Sequence, residues 1–117
     1  MEALNTVSSM ATMATQIRRD ILRMVHAVSS GHPGGSLGCV DYFTALHFHF
    51  MKHNAANFNM SGNGEDIFIL SNGHISPVYY STLARSGYFP VPELATFRKL
   101  NTLCLKESKG SFLFVNP

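Results

Sequence analysis

Apolar positions recur at spacings of three and four from about Ser9 to Ser29. Met13, Ile17, Ile21, Met24 and Val28 fall on one face, while Arg18, Arg19 and Arg23 fall elsewhere. That period predicts an amphipathic helix. The run Gly31-His32-Pro33-Gly34-Gly35 has to end it, since Pro and Gly both oppose helix continuation. Ser36 is then the expected N-cap of a second helix, about Leu37 to Lys52. There Val40, Phe43, Thr44 and His47 approximate one stripe. Leu46, Phe48 and Phe50 extend the apolar surface nearly all round, so this helix is expected to be largely buried.

Between Lys52 and Glu65 the chain is rich in Asn and Gly and reads as a loop. Asp66-Ile67-Phe68-Ile69-Leu70-Ser71 then carries a short continuous apolar run of β-branched and aromatic residues, the pattern of a buried strand in a parallel sheet. Ser76-Pro77 opens a further helix, with Ser as N-cap and Pro in the first turn, running to about Arg85. Gly87 suits the position just past its end. Pro92-Glu93 starts a last short helix carrying Leu94, Phe97 and Leu100. No internal repeat and no low-complexity segment interrupts this order.

The chain has 117 residues, the size of one small domain, and 45% of them are hydrophobic, which is enough for a globular core. Only 14% are charged and the net charge is +2. A nucleic-acid partner needs a clustered basic face, and Arg18-Arg19 with Lys106 and Lys109 are too sparse to make one. No apolar stretch approaches the roughly 20 residues that span a bilayer, so no membrane association is expected. Cys39 and Cys104 are too few and too far apart for a disulfide framework, which favours a reducing, cytoplasmic setting. The N-terminus has no basic region followed by an apolar one, as a signal peptide would.

Two Gly-His steps carry the candidate chemistry: Ser30-Gly31-His32-Pro33-Gly34-Gly35 and Ser71-Asn72-Gly73-His74. Each sits where a regular element ends. Glycine reaches backbone conformations closed to other residues and lets a ligand approach the main chain. Histidine adds a side chain able to exchange protons near neutral pH. A lone Gly-His pair is most often a plain turn. Two of them at element junctions point to one small-molecule site built from two loops, and His74 also follows the carboxyl end of the expected strand, where open α/β sheets bind ligands. His49 and His53, four residues apart, could share a helix face as metal ligands do, but no third ligand accompanies them. No metal site is assigned. Tyr79, Tyr80 and the phenylalanines are read as core.

The segments Ser29-Ser30-Gly31-His32-Pro33-Gly34-Gly35-Ser36-Leu37-Gly38 and Leu70-Ser71-Asn72-Gly73-His74 closely resemble the N-terminal part of the transketolase family, which depends on thiamine diphosphate. Arg85-Ser86-Gly87-Tyr88 and Glu93-Leu94-Ala95-Thr96-Phe97-Arg98 support the likeness, which covers about Ile17 to Thr102. The resemblance implies an α/β fold, the N-terminal fragment of a thiamine diphosphate-binding parallel-sheet domain, mostly helical in this chain. It implies a transferase of the pentose phosphate pathway, moving a two-carbon ketol unit between sugar phosphates, with thiamine diphosphate and Mg²⁺ as cofactors. His32 matches the family's histidine near the reacting hydroxyl and carbonyl groups, and His74 matches one beside the cofactor's diphosphate. Residues 1–102 then form a partial N-terminal domain and 103–117 a divergent tail.

Family segments that would follow Asn101-Thr102 have no counterpart here: a further Gly-His-Pro segment, a Gly-rich loop, the Gly-Asp-Gly motif whose surroundings hold Mg²⁺, and a later activating glutamate. The chain alone is therefore expected to be inactive and to hold the cofactor weakly. Completion would come from the remaining transketolase chain or a second subunit. One strand without neighbours is expected to leave apolar faces open, with Ser111-Phe112-Leu113-Phe114-Val115 as a second strand or an aggregating segment. Two alternatives stand beside the enzyme reading: a non-catalytic remnant or interaction module, and an enzyme like deoxyxylulose-phosphate synthase. The Gly-His-Pro-Gly and Ser-Asn-Gly-His forms favour transketolase over the latter.

Overall fold

A computed structural model of the chain describes residues 4–29, 31–57 and 64–97. Helix α1 spans Val7–Val28 and begins two residues before the expected start, because Thr6 is its cap: the Ser9 amide donates to Thr6 Oγ1 at 3.0 Å. Its inward face is the one the periodicity marks, with Ile17, Ile21 and Met24 buried. The chain leaves α1 through Ser29, in the left-handed region at φ 48°, and turns again at Gly31, whose φ of +107° only glycine adopts without strain.

Helix α2 spans Pro33–Ala45. The expected start at Leu37 with Ser36 as N-cap is corrected here. Pro33 occupies the first turn, where its missing N–H costs nothing, so His32 is the capping position and Ser36 lies inside the helix, fully buried. Beyond Ala45 the helix widens into a π-turn, Leu46–Phe50, closed by the Met51 amide on the Leu46 carbonyl at 2.7 Å. The stripe of Val40, Phe43, Thr44 and His47 is buried, as is Phe48, while Tyr42 and Phe50 stay exposed. The all-round burial expected of this helix thus holds for one side of it.

Helix α3 spans Ser76–Arg85, with Pro77 in its first turn and Ile75 in the capping position that the sequence assigned to Ser76. Every residue from Ser76 to Ala84 is buried. The helix packs against both α1 and α2 and against a 3₁₀ segment, Val91–Thr96, that follows it. Gly87 ends it at φ +98° as expected. Leu94 and Phe97 of the last segment reach the core; the expected partner Leu100 and the tail 103–117 lie outside the described residues.

The described part is mostly helical. Among the described residues there is no strand, and the expected strand at Ile67–Leu70 is an extended segment without a ladder. Its side chains alternate: Phe68 and Leu70 pack against the core, while Ile67 and Ile69 are 71% and 84% exposed. The alternation alone does not make a strand. A strand is defined by a neighbour's hydrogen bonds, and among the described residues one backbone contact ties the segment down, from the Asp66 amide to the Lys52 carbonyl. The described part of the loop before it contains a 3₁₀ turn, Ala55–Asn57.

Candidate functional site

Both Gly-His steps fold by local chemistry. At the first, the left-handed Ser29 and the positive φ of Gly31 reverse the chain so that His32 stands at the mouth of α2. A Cβ on Gly31 would meet Val25 Cγ2 at 3.5 Å, so φ rather than space demands glycine there. At the second, the Asn72 side chain accepts from the His74 amide at 3.1 Å, an Asx turn that starts the 3₁₀ segment Gly73–Ile75 leading into α3.

These two turns meet. The imidazoles of His32 and His74 lie edge to face, with ring centroids 5.8 Å apart and planes at 83°. Both side chains are exposed. Each histidine precedes the first turn of a helix, so the pair stands where the N-terminal ends of α2 and α3 converge. The arrangement offers two imidazole donors on one open surface, able to hydrogen-bond an anionic or carbonyl oxygen between them.

His47, His49 and His53 are committed elsewhere. His49 Nδ1 donates to the Leu4 carbonyl at 3.0 Å. His53 Nε2 donates to the His47 carbonyl, which leaves Nδ1 to accept from the Tyr88 hydroxyl at 2.8 Å. His49 and His53 therefore do not share a ligand, and among the described residues no group of three or more His, Cys, Asp or Glu could hold a metal ion. His47 is buried against Phe43 and Phe68. Its Nδ1–H donates to the Phe43 carbonyl, and Nε2 has no partner among the described residues. Burial pushes its pKa down to about 4, partly opposed by the Phe43 bond, with His53 nearby adding to the depression.

A second polar cluster escaped the sequence reading. Asp20 sits among the apolar positions of α1 and is 3% exposed. Arg85 of α3 grips it with two parallel bonds, Nε to Oδ2 and Nη2 to Oδ1, both 2.8 Å, and the Ser81 hydroxyl donates to Oδ2 at 2.8 Å. The signal was available: Asp20 is three residues from Ile17 and beside Ile21, on the face that must be buried, so it needed a partner. A cleft of about 280 Å³ opens beside it, walled by Met24, Ala27, Val91, Pro92 and Leu94. A shallower one of about 230 Å³ lies between the start of α1 and the end of α2. Neither cleft includes His32 or His74, and the Asp20 oxygens are already bonded within the protein, so the exposed histidine pair is the better candidate for chemistry.

No helix among the described residues is long and apolar enough to cross a membrane. The family model described as "Transketolase, thiamine diphosphate binding domain" matches residues 9–107. Among curated proteins, the chain is 45% identical over 91 residues to the transketolase of Buchnera aphidicola subsp. Acyrthosiphon pisum, covering 77% of this chain and 13% of that one. It is 40% identical over 97 residues to transketolase 1 of Escherichia coli, covering 82% of this chain and 14% of the relative. With the transketolase of Mus musculus the figures are 32% over 89 residues, 76% and 14%. The chain thus spans about one seventh of the length of the relatives it matches.

Proposed function

This chain belongs to the transketolase family, in its thiamine diphosphate binding domain, and from that membership we propose that His32 and His74 are its contribution to a ketol-transfer site. The observation that carries the proposal is their convergence: two histidines far apart in sequence, each in a segment resembling a family motif, stand ring to ring on one surface.

The donor set fits an organic diphosphate. Two exposed imidazoles beside the first turn of α2 suit a group rich in anionic oxygens. It does not fit Mg²⁺, for which the described residues supply no cluster of oxygen ligands. In this reading His74 donates a hydrogen bond to a diphosphate oxygen. His32 donates to the substrate's hydroxyl or carbonyl oxygen in the same reading, and carries a proton to or from it. When bound, the thiazolium of thiamine diphosphate supplies the electron sink for the two-carbon unit. The substrates of this reading are sugar phosphates, and the rest of the site comes from further transketolase chain or a second subunit, in the cytoplasm. The α/β reading belongs to the same proposal. An extended segment packed on one side and bare on the other, with Ile67 and Ile69 exposed, is what an unpaired strand presents.

The test grafts residues 9–107 in place of the matching segment of Escherichia coli transketolase 1 and follows turnover across a cofactor titration. His32→Ala is expected to lower mainly kcat, and His74→Ala to weaken mainly cofactor affinity. Each effect should be roughly ten- to hundredfold, the worth of one hydrogen bond to a charged group. Unchanged turnover and affinity in both variants would make the Gly-His steps plain turns.

A further inference from the structure

The first amides of a helix have no acceptor within it. In α3 the Ser76 amide reaches back to the Gly73 carbonyl, and Pro77 has no N–H to satisfy. The Val78 amide remains, on a residue with no exposed surface, and α3 has no side-chain cap of its own. A buried amide left unpaired is destabilising. Its acceptor comes from another helix: the Ser36 hydroxyl of α2, also fully buried, lies 3.4 Å from the Val78 nitrogen.

The register of this bond matters. Ser36 stands one helical turn after His32, and Val78 stands one turn after His74. A single hydrogen bond therefore joins the two turns immediately behind the two histidines. Gly35 brings them close, since a Cβ there would already stand 3.4 Å from Ile75 Cγ2, next to His74. Among the described residues, neither imidazole has a hydrogen bond that would orient it separately.

We propose that Ser36 is a positioning residue: by capping α3 from α2 it sets the separation of His32 and His74, so that the two imidazoles engage one ligand as a unit. The value of that unit rests on the ketol-transfer reading above, while the geometry can be tested without any cofactor. In the unaltered 117-residue chain, nuclear Overhauser contacts between the His32 and His74 ring protons are expected from the 5.8 Å ring separation. Ser36→Ala frees the α3 end from α2, and the contact, which falls with the sixth power of distance, is expected to drop to less than about half. The contact between the His47 and Phe68 rings, 4.8 Å apart in the core, stays as an internal reference. An unchanged His32–His74 contact in a folded Ser36→Ala variant overturns the proposal, even if the variant is less stable, because capping would then be structural only.

Hydrogen exchange of the unaltered chain decides the case in which the variant does not fold. The Val78 amide is expected to exchange at least about tenfold more slowly than an unbonded amide. Exchange at the unbonded rate overturns the proposal. Neither measurement involves thiamine diphosphate, so failure of the graft kinetics and failure of this inference are separate results.

Discussion

Replacing His47 by Phe should abolish an acid sensitivity built into the core. His47 is 2% exposed, its Nδ1–H is bonded to the Phe43 carbonyl, and its Nε2 faces no partner among the described residues. Protonation would place a second N–H, and a charge, in that apolar setting, so burial holds the folded pKa near 4. In the unfolded chain a histidine titrates at about 6.5. Between these values the unfolded state binds the extra proton, so stability falls as pH falls. The contribution is intact above about pH 6.5, and about 2 kcal/mol of it is gone by about pH 5 and about 3 kcal/mol by about pH 4. That is a large fraction of a typical domain's roughly 5–15 kcal/mol. Phe keeps a ring between Phe43 and Phe68 and has nothing to protonate. Urea unfolding followed by far-ultraviolet circular dichroism at pH 7.5 and pH 5.0 should show the unaltered chain losing about 2 kcal/mol more than His47→Phe between the two conditions. Every other ionisable group is common to both chains, so the comparison isolates position 47. Equal pH dependence in the two chains would refute the reasoning, because it would mean that His47 is reached by water or finds an acceptor when charged.

The Asp20–Arg85 pair should be costly to break from one side. Asp20→Asn keeps the shape but removes the charge facing Arg85, and about 3 kcal/mol of unfolding free energy should be lost in the same urea assay, with Arg85 limiting the loss by reaching solvent. A loss under about 0.5 kcal/mol would place this pair with surface ion pairs. Gly31→Ala has room for its methyl but not the backbone angle, so thermal unfolding should show a loss of about 1–2 kcal/mol from strain at φ +107°. The purified 117-residue chain should show no ketol transfer with thiamine diphosphate and Mg²⁺, since it spans 13–14% of its relatives; turnover above a blank would show that the site needs less of the family's length than proposed.

Local chemistry made much of this protein legible in the sequence. The three- and four-residue spacing of Ile17, Ile21 and Met24 identified the buried face of α1, and Gly31, Pro33 and Gly87 marked where helices break, because backbone angles and missing N–H groups act on the residue itself. The two Gly-His steps were visible for the same reason. Boundaries slipped by a turn where two caps competed: Pro33 took the start of α2 from Ser36. What tertiary structure decided were the pairings. A strand at Ile67–Leu70 requires a neighbouring backbone, and periodicity cannot supply one. Asp20 required Arg85, sixty-five positions away. Ser36 looked like the cap of its own helix and serves instead as the cap of α3. The ring-to-ring approach of His32 and His74 exists only because α2 and α3 pack with their first turns together. Each of these depends on which distant group arrives to satisfy a buried donor or acceptor, and that is fixed by the packing of the helices rather than by the residues around it.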